Sequence, residues 1–191
     1  MFYETTVKAH IRVPPSEFDE DKNKSVLSQI NENYNNFISK DLGIVIGVKE
    51  IVKIGEGVIT HGDGAAYYDS EFKLVVFKPE LQEIVYGNIS EITDFGAFIN
   101  MGPIEGMIHI SQTMDDFVSF SKSNVLSGKE SKKVLKQGDL CRARIIAVSY
   151  KSMEEPKIGL TMRQNRLGNI KWIEDELKNN KKEESAEKKN G

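Results

Sequence analysis

Cysteine is almost missing from this sequence. Cys141 stands alone, which excludes an internal disulfide and any zinc site built on cysteines. His10, His61 and His109 fall on separate segments without the spacing of metal ligands. No apolar run approaches the ~20 residues needed to cross a bilayer. Charged residues at Glu4, Lys8 and Arg12 leave no room for a secretion signal, so the expectation is a protein without membrane attachment. Apolar residues make up only 39% against 29% charged, which predicts two small domains in place of one deep core. An excess of positive charge is missing too. The net charge is −3, so any grip on nucleic acid must come from a local basic surface and from stacking. Signatures of catalysis are absent as well. Gly62-Asp63-Gly64 and Gly128-Lys129-Glu130 lack the Lys-Ser/Thr pair that a P-loop requires. Ser111 has no partnered base, and Asp115-Asp116 reads as a capping or solvated pair. No catalytic residue, metal site or cofactor is expected.

What is present changes character near residue 80. Over residues 3–13 the odd positions are Tyr, Thr, Val, Ala, Ile and Val, while the even ones from Glu4 onward are polar. That period of two predicts a half-buried strand, closed by Pro14-Pro15. Ser16-Glu17-Phe18-Asp19 offers an N-cap serine and an acidic first turn. Leu27, Ile30, Tyr34 and Ile38 then recur at helical spacing and predict an amphipathic helix over about 25–38. Residues 42–54, 57–61 and 72–77 read as strands, completing an α+β unit. Between the last two lies the segment from His61 to Tyr68. Its two glycines around an acid permit positive φ and a tight turn that presents amides and one carboxylate.

From residue 81 to about 165, short strands alternate with Asp-Phe-Gly, Gly-Pro and Gly-Asp signals, predicting a small barrel. Alternation puts Ala97, Ile99 and Met101 on one face and Phe98 on the other. Ile108 and Ile110 share a face that His109 opposes. With the isoleucines inward, Phe98 and His109 stand outward on adjoining strands, with Phe95 at the approach. Flat rings in a row suit unstacked bases, at ~1–3 kcal/mol per base. Arg142 and Arg144 leave the barrel together while Ala143, Ile145 and Ala147 point in. Lys157 opposes Ile158 and Leu160 in the same manner. Rings beside a few cations make a platform for single-stranded RNA. After Gly168 an amphipathic stretch carries Ile170, Trp172, Ile173 and Leu177, and disorder is expected from residue 179, where nothing apolar remains to bury.

The run from Gly87 to Ile99, then Gly102, Gly106, His109-Ile110-Ser111, Gly138-Asp139 and Lys157-Ile158-Gly159-Leu160-Thr161, resembles the S1 RNA-binding domain, an OB-type barrel. The stretch over 112–137 is longer than the short helix usual there. That insertion, together with His61-Gly62-Asp63-Gly64-Ala65-Ala66-Tyr67, Leu160-Thr161-Met162-Arg163-Gln164, Leu167-Gly168 and Trp172-Ile173-Glu174, resembles the E-prime family of archaeal RNA polymerase subunits. Its eukaryotic relatives are the S1-bearing stalk subunits of the nuclear polymerases. The resemblance implies an α+β chain: a truncated ribonucleoprotein-like tip domain at 1–80, an S1 barrel at 81–165 with its insertion at about 112–137, and a terminal segment at 166–191. It implies a non-catalytic, cytoplasmic stalk subunit. Single-stranded RNA would meet Phe95, Phe98, His109, Arg142, Arg144 and Lys157, and the core polymerase would meet Gly62, Asp63, Gly64 and Tyr67. The smaller, helical protein of the stalk would pack along both domains to make a heterodimer. The competing expectation is an S1 component of a translation or RNA-decay complex.

Overall fold

A computed structural model describes residues 1–121, 124–150 and 156–187, with backbone alone for 179–187. The chain divides into two units, Met1–Lys78 and Pro79–Gly191. In the first, β1 (Phe2–Val13) keeps the period of two, with Ile11 and Val13 buried and His10 and Arg12 exposed. A 3-10 turn, Pro15–Glu17, follows. The helix α1 (Lys22–Tyr34) begins three residues before the expected 25–38 and ends four short of it, and it does not use the start that Ser16 offered. Its N-cap is Asp21, whose carboxylate accepts a hydrogen bond from the Asn23 amide at 3.3 Å. Ser16 lies inside the proline-started turn and caps nothing, because Asp21 meets the same need closer to the apolar stripe. That stripe is Val26, Ile30 and Tyr34, the tyrosine ring standing edge-on to Phe72 at 5.2 Å. Leu27 is exposed, and Ile38 lies beyond the helix in β2 (Ile38–Ser39). Burial of Val26 and Ile30 contributes roughly 1.5–3 kcal/mol each.

The strand β3 (Gly43–Ile59) is continuous where two separate strands were expected. It pairs antiparallel with β4 (Ala66–Phe77), but the register slips at Val45/Gly47, Val48/Glu50, Ile51/Lys53 and Ile54/Gly57. Each slip inserts extra backbone on the β3 side. Core-facing residues on β3 therefore recur every third position, at Val45, Val48, Ile51 and Ile54. Ile46 and Val52 are among the residues pushed outward. β4 also pairs with β1 without a slip from Phe2↔Phe77 to Val13↔Ala66, giving the sheet order β1-β4-β3-β2.

In the second unit come β5 (Ile84–Ile92), β6 (Gly96–Asn100) and β7 (Glu105–His109). The insertion folds as a separate three-stranded antiparallel sheet of β8 (Val118–Ser121), β9 (Val125–Gly128) and β10 (Val134–Leu135). β11 (Leu140–Ser149) and β12 (Lys157–Thr161) pair with each other and close the ring β5-β6-β7-β12-β11, β12 running parallel to β7. This α+β architecture, a helix on an antiparallel sheet followed by an OB-type barrel, is the expected fold class. Ala97, Ile99, Ile108, Ala143, Ile145, Ile158 and Leu160 fill the barrel, as alternation predicts. Ala147 does not join them. A register shift between Ile145 and Ala147 reverses the facing of that strand end, and Ala147 is exposed.

The chain ends in β13 (Gly168–Asn169), which pairs with β11, and α2 (Ile170–Glu187). The disorder expected from residue 179 is corrected by the backbone, which stays helical to Glu187. Lys, Glu and Ala are good helix formers and need no apolar face to continue a helix already anchored. Residues 188–191, also assigned to the disordered tail, lie outside the described residues. Among the described residues no helix is long and apolar enough to cross a membrane.

Candidate nucleic-acid interface and docking loop

Phe95 sits in the tight connection between β5 and β6. That connection is held by the Thr93 amide donating to the Gly96 carbonyl at 2.8 Å and the Ile110 amide donating to the Phe95 carbonyl at 2.9 Å. Gly96 is required there because a Cβ would run into the Ile108 carbonyl oxygen of β7. The outcome is a ring pair: Phe95 and Phe98 meet edge to face, centroids 6.0 Å apart at 89°. Phe95 is 47% exposed, and Phe98 is half-buried. His109 lies on β7 directly opposite Gly96, exposed. Its Nδ1 accepts from the Ser111 amide at 3.3 Å and lies 2.9 Å from the Ser111 hydroxyl. In the neutral ring this places the proton on Nε2, turned away from Ser111. The Phe95–Phe98 ring pair and the His109 N–H donor thus stand on adjoining strands.

The cations are dispersed. Arg144 pairs across β11–β12 with Thr161, one residue beyond the Leu160↔Ile108 match, and so comes level with His109 two strands round the barrel, with the buried Thr161 between them. Its Nε is buried without a hydrogen-bond partner. Arg142 stands opposite Tyr86 on β5, its guanidinium 5.0 Å from the Tyr86 ring centre, and its Nη1 donates to the Arg166 carbonyl at 3.4 Å. Tyr86 lies five residues along β5 from Glu91, the partner of Phe98, or ~16 Å. Lys157 is exposed and pairs with Ser149 at the other end of β12. Carrying the parallel register back sets it level with Glu105, four residues from His109 and ~13 Å away. Of the six expected RNA contacts, Phe95, Phe98 and His109 form one patch, and Arg144 lies two strands, or ~10 Å, from His109. Arg142 and Lys157 stand apart.

In the loop expected to meet the polymerase, the exposed Asp63 carboxylate is already engaged. Arg12 grips Asp63 with two hydrogen bonds, Nε to Oδ2 at 2.9 Å and Nη2 to Oδ1 at 2.7 Å. The Tyr67 hydroxyl donates to Oδ2 at 2.6 Å. These donors hold the Asp63 carboxyl down at about 2, first through the Arg12 hydrogen bond and then through Tyr67. The same contact raises the Tyr67 phenol above its ordinary value. Asp63 is therefore the clamp that shapes the loop, and Tyr67 is half-buried against it. What the loop offers outward is the backbone at Gly62 and Gly64, with Val58 and Ile59 each 65% exposed at the end of β3. The consecutive apolar pair at a strand end was the signal available in the sequence for those two residues.

The acidic pair in the insertion is a second clamp. Asp116 accepts from the backbone amides of Phe117, Glu130 and Ser131 and from the Ser131 hydroxyl, the last two at 2.8 Å. The Ser131 amide is the main cause of its lowered carboxyl value. Asp115 instead pairs with Arg163 at 2.8 Å. Among the described residues no group of three or more His, Cys, Asp or Glu side chains could hold a metal ion. Burial pushes the Cys141 thiol up to about 12, so it is inert.

The family profile described as "SHS2 domain found in N terminus of Rpb7p/Rpc25p/MJ0397" matches residues 8–64, and that of the S1 RNA binding domain matches residues 78–153. DNA-directed RNA polymerase subunit Rpo7 of Sulfolobus acidocaldarius is 38% identical over 178 residues, covering 93% of this chain and 97% of that one. Rpo7 of Saccharolobus solfataricus is 39% identical over 165 residues, covering 85% and 92%. DNA-directed RNA polymerase III subunit RPC8 of Saccharomyces cerevisiae is 34% identical over 114 residues, covering 60% of this chain and 54% of its own. With such identity across nearly the full length of both chains, this chain belongs to the Rpo7 family of DNA-directed RNA polymerase subunits.

Proposed function

We propose that the chain is the larger, non-catalytic stalk subunit of a cytoplasmic DNA-dependent RNA polymerase, docking on the core through its first unit and holding emerging single-stranded RNA on its barrel. The observation that carries the RNA half is the edge-to-face Phe95–Phe98 pair beside the outward His109. Stacking and one N–H donor give sequence-tolerant contact, and Arg144 supplies phosphate attraction. Similarity to polymerase subunits over nearly the whole chain supports this reading over a translation or RNA-decay component. The smaller, helical protein of the stalk is the partner expected to pack along both units as a heterodimer. Co-purification of the tagged chain with large polymerase subunits and a small helical protein supports that assembly, and recovery of ribosomal or exosome proteins overturns it. For RNA, Phe98→Ala weakens binding by ~1–3 kcal/mol at matched salt. Arg144→Ala instead flattens the log–log salt slope by ~0.7. Unchanged affinity of the Phe98→Ala protein, with its fold intact by circular dichroism, removes the platform from the proposal.

A further inference from the structure

Next to the Phe98 patch the outer wall of the barrel carries a groove that the RNA platform does not include. The register sets Leu140 of β11 opposite Asn88 of β5, and Asn88 opposite Asn100 of β6. These three side chains form a row across three strands. Tyr86, the next outward residue along β5, is 53% exposed, with the Arg142 guanidinium over its ring at 5.0 Å. With Ser90 they line an open groove of about 450 Å³. Gly87 makes the floor possible, since a Cβ there would run into the Asn100 carbonyl oxygen.

The chemistry of the lining is uniform: two carboxamides, a hydroxyl, a phenol ring, a leucine and no acid. Asn100 Oδ1 accepts from the Gly102 amide at 2.8 Å, which leaves its NH2 for a ligand. The Asn88 carboxamide makes no hydrogen bond among the described residues. The Ser90 Oγ is buried without a partner. A flat ligand with a mixed donor and acceptor edge fits such a wall, because a carboxamide offers both in one plane. An added peptide strand does not fit, because β5 and β6 already have neighbours on both sides. The groove is also continuous with the platform. Asn100 and Phe98 share the outer face of β6 two residues apart, or ~6.6 Å.

We propose that this groove is a second nucleobase position of the barrel, where a base stacks on Tyr86 and meets the carboxamides of Asn88 and Asn100. The strand then continues to Phe98 and His109. Arg142 is a positioning residue that backs the Tyr86 ring, which accounts for its distance from the other cations. The assignment rests on the RNA-binding reading above and deepens it by adding base discrimination to sequence-tolerant stacking.

The test uses the full chain and labelled oligo-A, oligo-C and oligo-U of about ten nucleotides, within the ~4–16 that one OB fold covers. Tyr86→Leu lowers affinity by ~5-fold or more, and Tyr86→Phe retains it. Asn88→Ala evens out the affinities for the three oligomers. Asn88 is exposed, so this variant decides the matter even where Tyr86→Leu fails to fold. If Phe98→Ala weakens binding while Tyr86→Leu and Asn88→Ala bind all three oligomers as the parent does, the groove takes no base and the inference falls alone. If Tyr86→Leu keeps its RNA but loses the polymerase or the small partner, the groove is a protein interface and the inference is overturned. If the parent chain binds none of the oligomers, the RNA-binding reading itself has failed, and this inference with it.

Discussion

Asp63 accepts from Arg12 twice and from the Tyr67 hydroxyl once, and those donors fix how the loop titrates. The folded value of about 2 lies below the ~3.9 of a free aspartate. A depressed carboxyl contributes its stabilisation fully above the unfolded value and loses it as pH falls through the folded one. The clamp is therefore intact at neutral pH and releases between pH ~4 and ~2. Carboxyl resonances followed by NMR should give Asp63 a midpoint near 2, and a midpoint near the free value would mean that the clamp does not form in solution. Asp63→Asn removes the charge that Arg12 holds and should loosen the loop already at neutral pH. At this scale the sequence was partly legible. Alternation correctly turned Phe98 out and Ile99 in, because period two needs only neighbouring positions. It could not show that Arg12 grips the Asp63 carboxylate, since Arg12 lies 51 positions away and only the sheet brings them together.

At the scale of elements, legibility tracked how regular each element is. β1 and β6 follow the alternation rule and were readable. β3 was not, because repeated slips change its period from two to three and make one strand look like two pieces. The cap of α1 was misread for a different reason: Ser16 and Asp21 are both good caps, and only packing of Val26 and Ile30 on the sheet chooses between them. Ala147 fails by one bulge. The terminal segment shows the same dependence on context. Trp172 packs against the barrel core, while Ile173 beside it is buried. Lys133 lies 5.6 Å from the centre of the Trp172 ring and pairs with Glu176 at 2.7 Å. Removing residues after Gly168 thus strips a face of the barrel as well as any partner contact. Trp172→Ala should destabilise the chain by about 2 kcal/mol, less than the ~3–5 of a fully buried Trp because the ring is half-exposed. Thermal unfolding should fall by several °C. An unchanged midpoint, together with lost recovery of the smaller stalk protein, would make Trp172 a partner anchor instead.

For the whole molecule, the reading separates two tasks that single substitutions can pull apart. On the proposed function, RNA contact falls to the second unit and polymerase docking to the first, so damage to one should spare the other. The loop at residues 62–64 offers a clean place to test this. Gly62 and Gly64 hold φ of +94° and +72°, a region that costs a β-branched residue dearly. Space is not the obstacle, because a Cβ at Gly62 meets nothing within 4 Å and one at Gly64 only reaches the Pro15 Cγ at 4.0 Å. Valine at both positions therefore acts through backbone strain of ~1–3 kcal/mol per site, without a clash that would disturb the sheet. The double variant should fold, keep its RNA affinity and still recover the smaller stalk protein. It should fail to join stalkless polymerase on a sizing column, because the displaced loop no longer presents its backbone beside Val58 and Ile59. A second variant separates strain from contact: Val58→Ser with Ile59→Ser leaves the glycines alone and removes only exposed apolar surface. Both variants losing the polymerase would assign docking to the loop and the strand end together. Should the valine variant join normally, or lose RNA in place of the polymerase, the division of labour between the two units is wrong.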